Sequence, residues 1–182
     1  MIYPIVAYGD PVLKKRATDF EKGTDVSTLV EDMFETMYNA HGVGLAGPQI
    51  GIDKRIFVVD GNPMDEEITD FKKAFINPEI LEEEGEEWAF DEGCLSIPGV
   101  RSEVFRMPRV KIRYYNEQWQ EYTEVYEGIR ARIIQHEYDH IEGVLFIDHL
   151  SGIKKRLLKN KLTNISKGVV DVDYRMKFPI KK

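Results

Sequence analysis

The feature that most constrains this chain is residues 135–140, Gln-His-Glu-Tyr-Asp-His, which contain the pattern HExxH. Positions four apart lie one above the other on the same face of a helix, so His136 and His140 can present two imidazole nitrogens to one metal ion. Glu137 then lies beside the ion without binding it, where a base that takes a proton from water is required. The pattern therefore predicts a metal-binding helix.

A metal ion at this helix needs at least a third protein ligand. The chain has one cysteine, Cys94, which excludes an internal disulfide framework. Its side chain has three interpretations: a buried small hydrophobic group, a catalytic thiol, or a thiolate ligand. Beside an HExxH helix, a Cys-His-His site that leaves a fourth position for water becomes the favoured interpretation.

Composition bounds the class of protein. The chain has 182 residues, of which 42% are hydrophobic and 31% are charged, enough for one compact domain, residues 1–182, with a sizeable core. It begins without a basic leader, and no segment approaches the roughly 20 apolar residues that cross a bilayer, so we expect a cytoplasmic protein without membrane contact. The net charge of -7 argues against a protein that mainly binds DNA or other nucleic acid.

The N-terminal part predicts one helix. Residues 1–23 contain prolines and glycines that break any periodicity and are expected to be irregular. From Val26 to Tyr38, apolar residues recur at three- and four-residue steps, which predicts an amphipathic N-terminal helix whose stripe faces the core. The helix should end near His41 and Gly42, because glycine adopts the left-handed conformation common at helix ends. His41 is therefore interpreted as a helix-end residue and not as a ligand.

Residues 42–51 contain four glycines around a small apolar core. The run lacks the lysine of a P-loop and the spacing of a dinucleotide-binding fingerprint, and it opens no evident helix. Two interpretations remain: a tight structural turn, or a loop whose backbone amides approach another chain closely. In the second, Gln49 is the one side chain able to donate a hydrogen bond.

Apolar and β-branched runs separated by short turns predict antiparallel strands. The acidic run at residues 81–91 is expected to be a solvated edge or hairpin that resists pairing. The predicted fold class is α+β, with antiparallel sheets packed around the central HExxH helix, an N-terminal amphipathic helix and a C-terminal helix. The predicted strands are residues 55–60, followed by a turn at 61–63, then 74–78, 110–115 and 119–126, the last two joined as a hairpin.

Three of these stretches together resemble the bacterial peptide deformylases. Residues 42–49, Gly-Val-Gly-Leu-Ala-Gly-Pro-Gln, residues 92–96, Glu-Gly-Cys-Leu-Ser, and residues 135–140 look like the three motifs of that family in the same order. Chain length agrees as well. The departures, Gly47-Pro48 and Tyr138, fall where the family often has other small or apolar residues, and they concern details of the pocket.

The resemblance implies an enzyme, a peptide deformylase, that hydrolyses N-formylmethionine at the start of nascent polypeptides to formate and a free amine. It implies Fe2+ as the native ion, one per chain, with Zn2+, Ni2+ or Co2+ able to replace it, since sulfur and nitrogen ligands are compatible with several of these ions. Cys94, His136 and His140 would hold the ion, and metal-bound water would attack the formyl carbon.

The family motifs also imply catalytic roles for residues of this chain. Glu137 takes the proton of the attacking water and transfers it to the departing amine, as general base and then as general acid. The backbone N–H of Leu95 and the side-chain amide of Gln49 stabilise the oxyanion that forms, and a single donor of this kind contributes about 3 to 4 kcal/mol.

Substrate-binding residues are expected on two elements. Ile129 and Ile133 share a helix face with His136, so they either line an apolar slot for methionine or belong to the ordinary core. Val43 and Gly44 would offer main-chain hydrogen bonds to an extended formyl-Met peptide.

Charged residues near the motifs supply further candidates. Glu92 is predicted to brace the site from behind, and Arg101 to orient either the loop or the peptide. Asp139 is a possible orienting carboxylate. Each of these residues has an alternative interpretation as an ordinary solvated side chain.

The C-terminal part begins with Ser151, which should cap the last helix. Five of the eight residues 154–161 are basic. They form either a solvated face or, since deformylases meet their substrates at the ribosome, a surface that docks transiently on ribosomal RNA. The polar tail, residues 167–182, is expected to be at most partly ordered.

Two other functions stay open at this point. A zinc endopeptidase shares HExxH, but the metzincin pattern needs a histidine where Phe146 stands, and other zincins use a downstream carboxylate as third ligand. A non-catalytic module that binds peptides or the ribosome would have a closed four-ligand site. Substitution of Cys94 separates the first alternative, because only a deformylase requires this residue for metal retention.

Overall fold

A computed structural model of the protein describes residues 1–61 and 70–180. Over these residues helices combine with antiparallel strands, which confirms the predicted α+β class. The helices are α1 Ser27–Asn39, α2 Gly128–Ile141 and α3 Gly152–Ser166. The strands are β1 Ile5–Val6, β2 Gly44–Ala46, β3 Ile56–Asp60, β4 Lys72–Glu84, β5 Trp88–Cys94, β6 Ile97–Arg106, β7 Arg109–Tyr115, β8 Glu121–Glu127 and β9 Met176–Lys177.

The largest sheet has five antiparallel strands in the order β2-β3-β4-β7-β8. The hairpin of β7 and β8 turns around residues 116–118, where the sequence predicts a turn. The turn predicted at residues 61–63 lies outside the described residues from Asn62 onward. The glycine-rich run forms β2 at one edge of the sheet, which was not predicted from the sequence. A single 3-10 turn, Gly47–Ile50, follows it.

The acidic run at 81–91 is exposed over residues 81–87, as expected of a solvated segment, but its first part is paired with a neighbouring strand. Its first part continues β4, where Glu82 lies opposite Lys111 and Glu84 lies opposite Arg109 of β7. Opposite charges on facing strands favour pairing, and they replace the repulsion expected from the acidic run alone. The run then leaves this sheet and continues into β5, which belongs to another sheet.

Helix α2 packs one face against the five-stranded sheet. Ile134 is buried in one core cluster with Phe57 and Phe75, and this apolar contact supplies the main drive for docking the helix. Arg55 ties the end of the helix to the sheet, since its guanidinium donates to the carbonyl of Ile141 at 3.1 Å. The helix is therefore held at its C-terminal end by the sheet, and its other face contacts β5.

The ends of the other two helices are fixed by local groups. Helix α1 ends at Asn39, and His41, rather than the predicted Gly42, adopts the left-handed conformation with a φ of 59°. The Ser151 side chain accepts a hydrogen bond from the backbone N–H of Lys154, which is the cap that the sequence predicts for α3. Within residues 1–61 and 70–180, no helix is long and apolar enough to cross a membrane.

Two small sheets complete the architecture. β5 and β6 form an antiparallel hairpin that turns at Leu95 and Ser96. β1 pairs with β9 in parallel, with Ile5 opposite Met176. The expectation of an irregular N-terminal segment is therefore wrong at Ile5 and Val6, and the pairing of the tail at Met176 and Lys177 was not predicted. Each strand has two residues and its partner lies at the other end of the chain, so no local periodicity reveals the pair.

A substitution at Gly143, two residues after the end of α2, can test how closely the helix end is packed. Its φ is +78°, and an added Cβ would lie 2.7 Å from the carbonyl oxygen of Lys14. Gly23 is a matched control, because its φ is +93° but an added Cβ would meet nothing within 4 Å. We expect Gly23→Ala to lower the free energy of unfolding by about 1 to 2 kcal/mol from the left-handed backbone alone. Gly143→Ala should cost about 1 to 3 kcal/mol more, because backbone atoms must move. Urea unfolding of both variants measures the difference, and equal losses would show that the helix end is not packed against residue 14.

Candidate metal centre

Helix α2 brings His136 and His140 one turn apart on the same face, with ring centroids 5.1 Å from each other. Cys94, the last residue of β5, approaches this face, and its Sγ lies 3.5 Å from Nε2 of His140. One ligand atom from each of the three residues can be chosen so that all lie within 4.8 Å of one another. The structure thus brings together the three predicted ligands, although β6, β7 and β8 lie between Cys94 and His136 along the chain.

The donor set fits a divalent transition metal. One sulfur and two nitrogens are the ligands that zinc and iron accept, and two such atoms, each about 2.0 to 2.3 Å from a shared tetrahedral ion, are separated by about 3.5 Å. Burial, together with the neighbouring His136, lowers the pKa of His140 to about 3. His140 is therefore a neutral imidazole, which is the form that binds metals.

The electrostatic environment of His136 also favours a cation. Burial opposes a charge on its ring, but hydrogen bonds with Cys94 and Glu92 outweigh burial and raise the pKa of His136 to about 10. The surrounding groups thus stabilise a positive charge at the place where the sulfur and the two rings converge. A metal ion supplies such a charge without a proton on the nitrogen that binds it.

Glu92 fixes the orientation of His136. Its side chain is 4% exposed, and its carboxylate accepts hydrogen bonds from Arg106 at 2.8 and 3.0 Å and from Arg132 at 2.9 Å. Burial raises the pKa of Glu92, but the hydrogen bonds from His136 and Arg106 lower it by a larger amount. The net pKa is lowered, so the group stays ionised. An ionised carboxylate only accepts hydrogen bonds, so Nδ1 of His136, 2.8 Å away, must donate. Nε2 of the ring is then left to face the other ligand atoms.

Asp139 does not orient either histidine ligand. Its carboxylate accepts hydrogen bonds from Arg106 and His149, each at 2.8 Å. Arg106 thereby joins Glu92 to Asp139 and holds β6 against α2. Arg106 and Arg132 were not predicted from the sequence, because neither lies in a motif. Arg132 could have been found from its position one helical turn before His136.

Glu137 is buried beside the candidate ligands. Its Oε1 lies 3.9 Å from Nε2 of His136, and within the described part of the chain Oε2 has no hydrogen-bond partner. Burial raises the pKa of Glu137 to about 7. Gly44 makes room for the carboxylate, since a Cβ at that position would lie 2.6 Å from Oε1. The glycine-rich strand is therefore fitted closely to Glu137 of the same chain.

Gln49 reaches the same centre from the 3-10 turn after β2. Its Oε1 accepts from the backbone N–H of Ala46 at 3.0 Å, which fixes the orientation of the amide. Its Nε2 donates to Cys94 Sγ at 3.4 Å and to Ser96 Oγ at 3.3 Å. Gln49 is 1% exposed, so these contacts hold its amide against the turn that carries Cys94 and Leu95.

A cavity of about 770 Å³ opens beside this centre. The walls include the predicted residues Val43, Gly44, Glu92, Arg101 and Ile133, as well as Gln49, Cys94, Leu95, His136 and Glu137. Ile129 is not part of the wall. It packs against the core cluster to which Ile133 also belongs, and it lies one helical turn further from His136 than Ile133 does. Arg101 lies at the exposed rim and pairs with Asp91 at 2.6 Å.

Part of the cavity wall was not predicted from the sequence. Residues 171–174 of the tail line the cavity, together with Phe90 and Arg132. The tail reaches the site from the opposite end of the chain, where polar composition gives no indication of packing. His41, interpreted as a helix-end residue, also lines the cavity and contacts Asp173 of the tail at 3.1 Å.

Comparison with known proteins is consistent with this geometry. The model of a protein family described as polypeptide deformylase matches residues 2–156. The peptide deformylase of Cytophaga hutchinsonii is 65% identical over 184 residues, which cover 100% of both chains. The crystal structure of peptide deformylase from Thermotoga maritima is 43% identical with a TM-score of 0.76 and covers 83% of this chain and 99% of its own. That of the Thermus thermophilus enzyme is 39% identical with a TM-score of 0.83, covering 91% and 98%.

The buried Glu92 should be essential both for stability and for metal binding. We expect Glu92→Gln to lower the free energy of unfolding by about 3 to 5 kcal/mol, because two guanidinium groups lose their buried partner. We expect metal affinity to fall about 10- to 100-fold, because His136 loses its orienting carboxylate. Denaturant unfolding and titration with Zn2+ measure the two effects.

The neighbouring Asp91 supplies the control. Its side chain is 56% exposed and pairs with Arg101 at the surface. Asp91→Asn should therefore change stability by only about 0 to 1 kcal/mol and leave metal affinity unchanged. If Glu92→Gln resembles this control in both measurements, the buried carboxylate does not organise the site.

Proposed function

The chain belongs to the peptide deformylase family, and we propose that it is an enzyme that removes the formyl group from N-formylmethionine at the N-terminus of nascent polypeptides, releasing formate. The observation that carries this proposal is the convergence of one thiolate and two imidazoles beside a buried carboxylate, at one end of a cavity large enough for a peptide N-terminus. We treat residues 1–182 as one catalytic domain arranged around the central helix α2.

Cys94, His136 and His140 are the proposed ligands of the metal. The proposed resident ion is Fe2+, with Zn2+, Ni2+ or Co2+ able to replace it, and the soft sulfur and two nitrogen donors are compatible with these ions. When bound, a divalent ion polarises a carbonyl oxygen and lowers the pKa of a coordinated water to about 7. Glu92 supports the site by holding Nδ1 of His136, so that the ring keeps one orientation.

Glu137 is the proposed general base and acid. Its Oε2 has no partner in the described part of the chain, and the residue lines the cavity, so it can accept a proton from water there. The formyl carbon–nitrogen bond breaks when the amine nitrogen receives that proton from Glu137. Burial holds the pKa of Glu137 near 7, where a group both accepts and releases a proton readily.

The oxyanion formed on the formyl group is stabilised by two groups of the chain, the backbone N–H of Leu95 and the side-chain amide of Gln49. The contact of Gln49 Nε2 with Cys94 Sγ at 3.4 Å supports this role, because it keeps the donor beside the metal ligands. One donor fixed in advance contributes about 3 to 4 kcal/mol to transition-state stabilisation.

The peptide is proposed to bind along the edge of the five-stranded sheet. β2, Gly44–Ala46, is an edge strand, and Val43 directly precedes it. The carbonyl of Val43 accepts from the N–H of Asp60 at 2.9 Å, so Gly44 and the N–H of Val43 are the groups proposed to form main-chain hydrogen bonds with an extended substrate. Ile133 supplies an apolar wall for the unbranched methionine side chain. Arg101, at the rim, is proposed to contact the following part of the peptide. Ile129 is retained only as support for this wall.

The exposed face of α3 is proposed to dock on the ribosome in the cytoplasm. Lys154, Lys155, Arg156 and Lys159 are all exposed on this helix. Leu157, between them, is 79% exposed, and Ile153 is 66% exposed. A basic face with accessible apolar side chains suits the surface of ribosomal RNA and its proteins, and it would place the enzyme near emerging formyl-Met peptides.

A zinc endopeptidase fits the geometry less well. The ring of Phe146 stacks near His136, with centroids 6.2 Å apart, at the sequence position where a metzincin has its third histidine. The role of third ligand falls instead to Cys94, which a zincin does not use. A closed structural site is also disfavoured, because two of the three proposed ligands, Cys94 and His136, border an open cavity.

Formate release from a formyl-Met peptide tests the proposed function. Anaerobically prepared protein with Fe2+ should release formate from the formylated peptide and nothing from its unformylated counterpart. Glu137→Gln should keep its metal but lose about 10²- to 10⁴-fold in kcat, the usual contribution of a general acid–base residue. Glu127→Gln, an exposed residue just before the same helix, should be unaffected. Metal-loaded protein that releases no formate contradicts the function; near-normal turnover of Glu137→Gln removes that residue from its role.

Ribosome docking is tested by reversing charge on α3. Lys155→Glu/Lys159→Glu should weaken cosedimentation with ribosomes, and wild-type binding should fall as salt rises, because basic residues that bind phosphates release counterions. Formate release from a free peptide should not change. Lys22→Glu/Lys73→Glu carries the same change in net charge on another part of the surface and should bind ribosomes as the wild type does. Salt-independent binding, or equal binding by both variants, would exclude this docking face.

A further inference from the structure

The end of β5 and the turn that follows it carry two groups of the proposed reaction. Cys94, just before the turn, is a proposed metal ligand, and the N–H of Leu95 is a proposed oxyanion donor. Both carbonyls of this turn are held from outside the hairpin. The backbone N–H of Tyr8 donates to the carbonyl of Ser96 at 2.9 Å, and the hydroxyl of Tyr174 donates to the carbonyl of Leu95 at 2.7 Å.

These two anchors come from opposite ends of the chain and are fixed to each other. β1 and β9 form the parallel sheet described above, in which the N–H of Ile5 donates to the carbonyl of Arg175 at 2.9 Å and that of Ala7 donates to the carbonyl of Lys177 at 2.9 Å. Tyr174 directly precedes this pairing. The small sheet therefore fixes the position of Tyr174 and with it the position of the Leu95 carbonyl.

The side chain of Tyr174 is suited to donate this hydrogen bond. It is partly buried, and its ring packs against the same core cluster as Leu95. Burial, with the nearby Cys94 and Asp173, raises the pKa of Tyr174 well above its usual range, so its hydroxyl keeps its proton. The neighbouring Asp173 contacts His41 at 3.1 Å across the cavity rim, which adds a second link between the tail and the site.

The wall and the anchor that the tail supplies lie outside the three sequence motifs. The family model matches residues 2–156, and Tyr174 lies beyond that range. Nevertheless residues 171–174 form part of the wall of the cavity that also contains Cys94 and Glu137. The motifs of the family thus leave one wall of the site, and one anchor of its catalytic turn, to the C-terminal tail.

We propose, resting on the deformylase function above, that Tyr174 is a positioning residue for deformylation: its hydroxyl holds the Leu95 carbonyl and thereby sets the direction of the Leu95 N–H towards the oxyanion. The carbonyl and the N–H of Leu95 belong to two adjoining peptide planes that meet at one Cα, so a hydrogen bond that holds the carbonyl restrains this Cα and with it the position and direction of the N–H. A donor that stabilises developing charge acts chiefly in the transition state, so a tilted donor lowers kcat and leaves substrate binding nearly intact.

Tyr174→Phe removes the hydroxyl and keeps the ring. We expect kcat for a formyl-Met peptide to fall about tenfold and KM to change less than about twofold, because a misdirected donor loses part of its usual contribution. The pH profile should keep its shape, since Glu137 is not touched. In Co2+-substituted protein, the absorption bands of the thiolate and histidine ligands should match those of the wild type.

Tyr38→Phe is the matched control. Its hydroxyl donates to Asp60 at 2.5 Å, and Tyr38 is not among the residues that line the cavity. This variant should keep wild-type kcat and KM, whatever its thermal midpoint. If Tyr174→Phe lowers the midpoint, assays of both variants well below it separate lost stability from lost positioning. Replacement of Tyr174 by a ring-fluorinated tyrosine, which keeps a hydroxyl donor, should restore kcat.

Four results would decide whether Tyr174 positions the Leu95 N–H. Wild-type turnover with unchanged kinetics in Tyr174→Phe overturns the role of Tyr174 alone. A changed Co2+ spectrum overturns it as well, because the hydroxyl would then act on the metal ligands. A rise in KM without loss of kcat assigns Tyr174 to substrate binding and not to the Leu95 donor. Absence of formate release by the metal-loaded wild type instead removes the deformylase function on which the inference rests.

Discussion

The structure depends most on one buried carboxylate. Glu92 accepts hydrogen bonds from Arg106, Arg132 and His136, so a single side chain joins β5, β6 and α2. A carboxylate with so little exposure to water is tolerable only because three donors surround it. The same contacts determine which ring nitrogen of His136 faces the cavity. Stability of the fold and the orientation of a candidate metal ligand thus both depend on one buried carboxylate.

Close packing at the opposite side of the site has a comparable effect. Gly44 leaves room for the carboxylate of Glu137, and the amide of Gln49 is held by its own turn against Cys94. Neither group has freedom to rearrange, because both are almost completely buried. The side chains of this candidate centre are therefore fixed by contacts within the folded chain.

Much of the site was predictable because its chemistry lies in short motifs. The four-residue spacing of His136 and His140 places both rings on one helix face, and that geometry needs no tertiary information. Arg106 is different: it stands in no motif, and only the approach of β6 to α2 gives it Glu92 and Asp139 as partners. The prediction for Ile129 failed in the opposite way. A shared helix face predicts a pocket residue, but Ile129 packs against the core cluster instead.

By itself, the sequence determined the α+β class, the family, the candidate metal helix and the three candidate ligands, because each rests on local periodicity or on a short motif. Tertiary structure alone decided the pairing of acidic β4 with basic β7, the ordered tail and the contact of Tyr174 with the catalytic turn. These features join segments far apart in sequence. Their stability therefore depends on contacts with residues that a short stretch of sequence does not contain. That is why a polar tail of ordinary composition becomes a wall of the cavity only when the chain is folded.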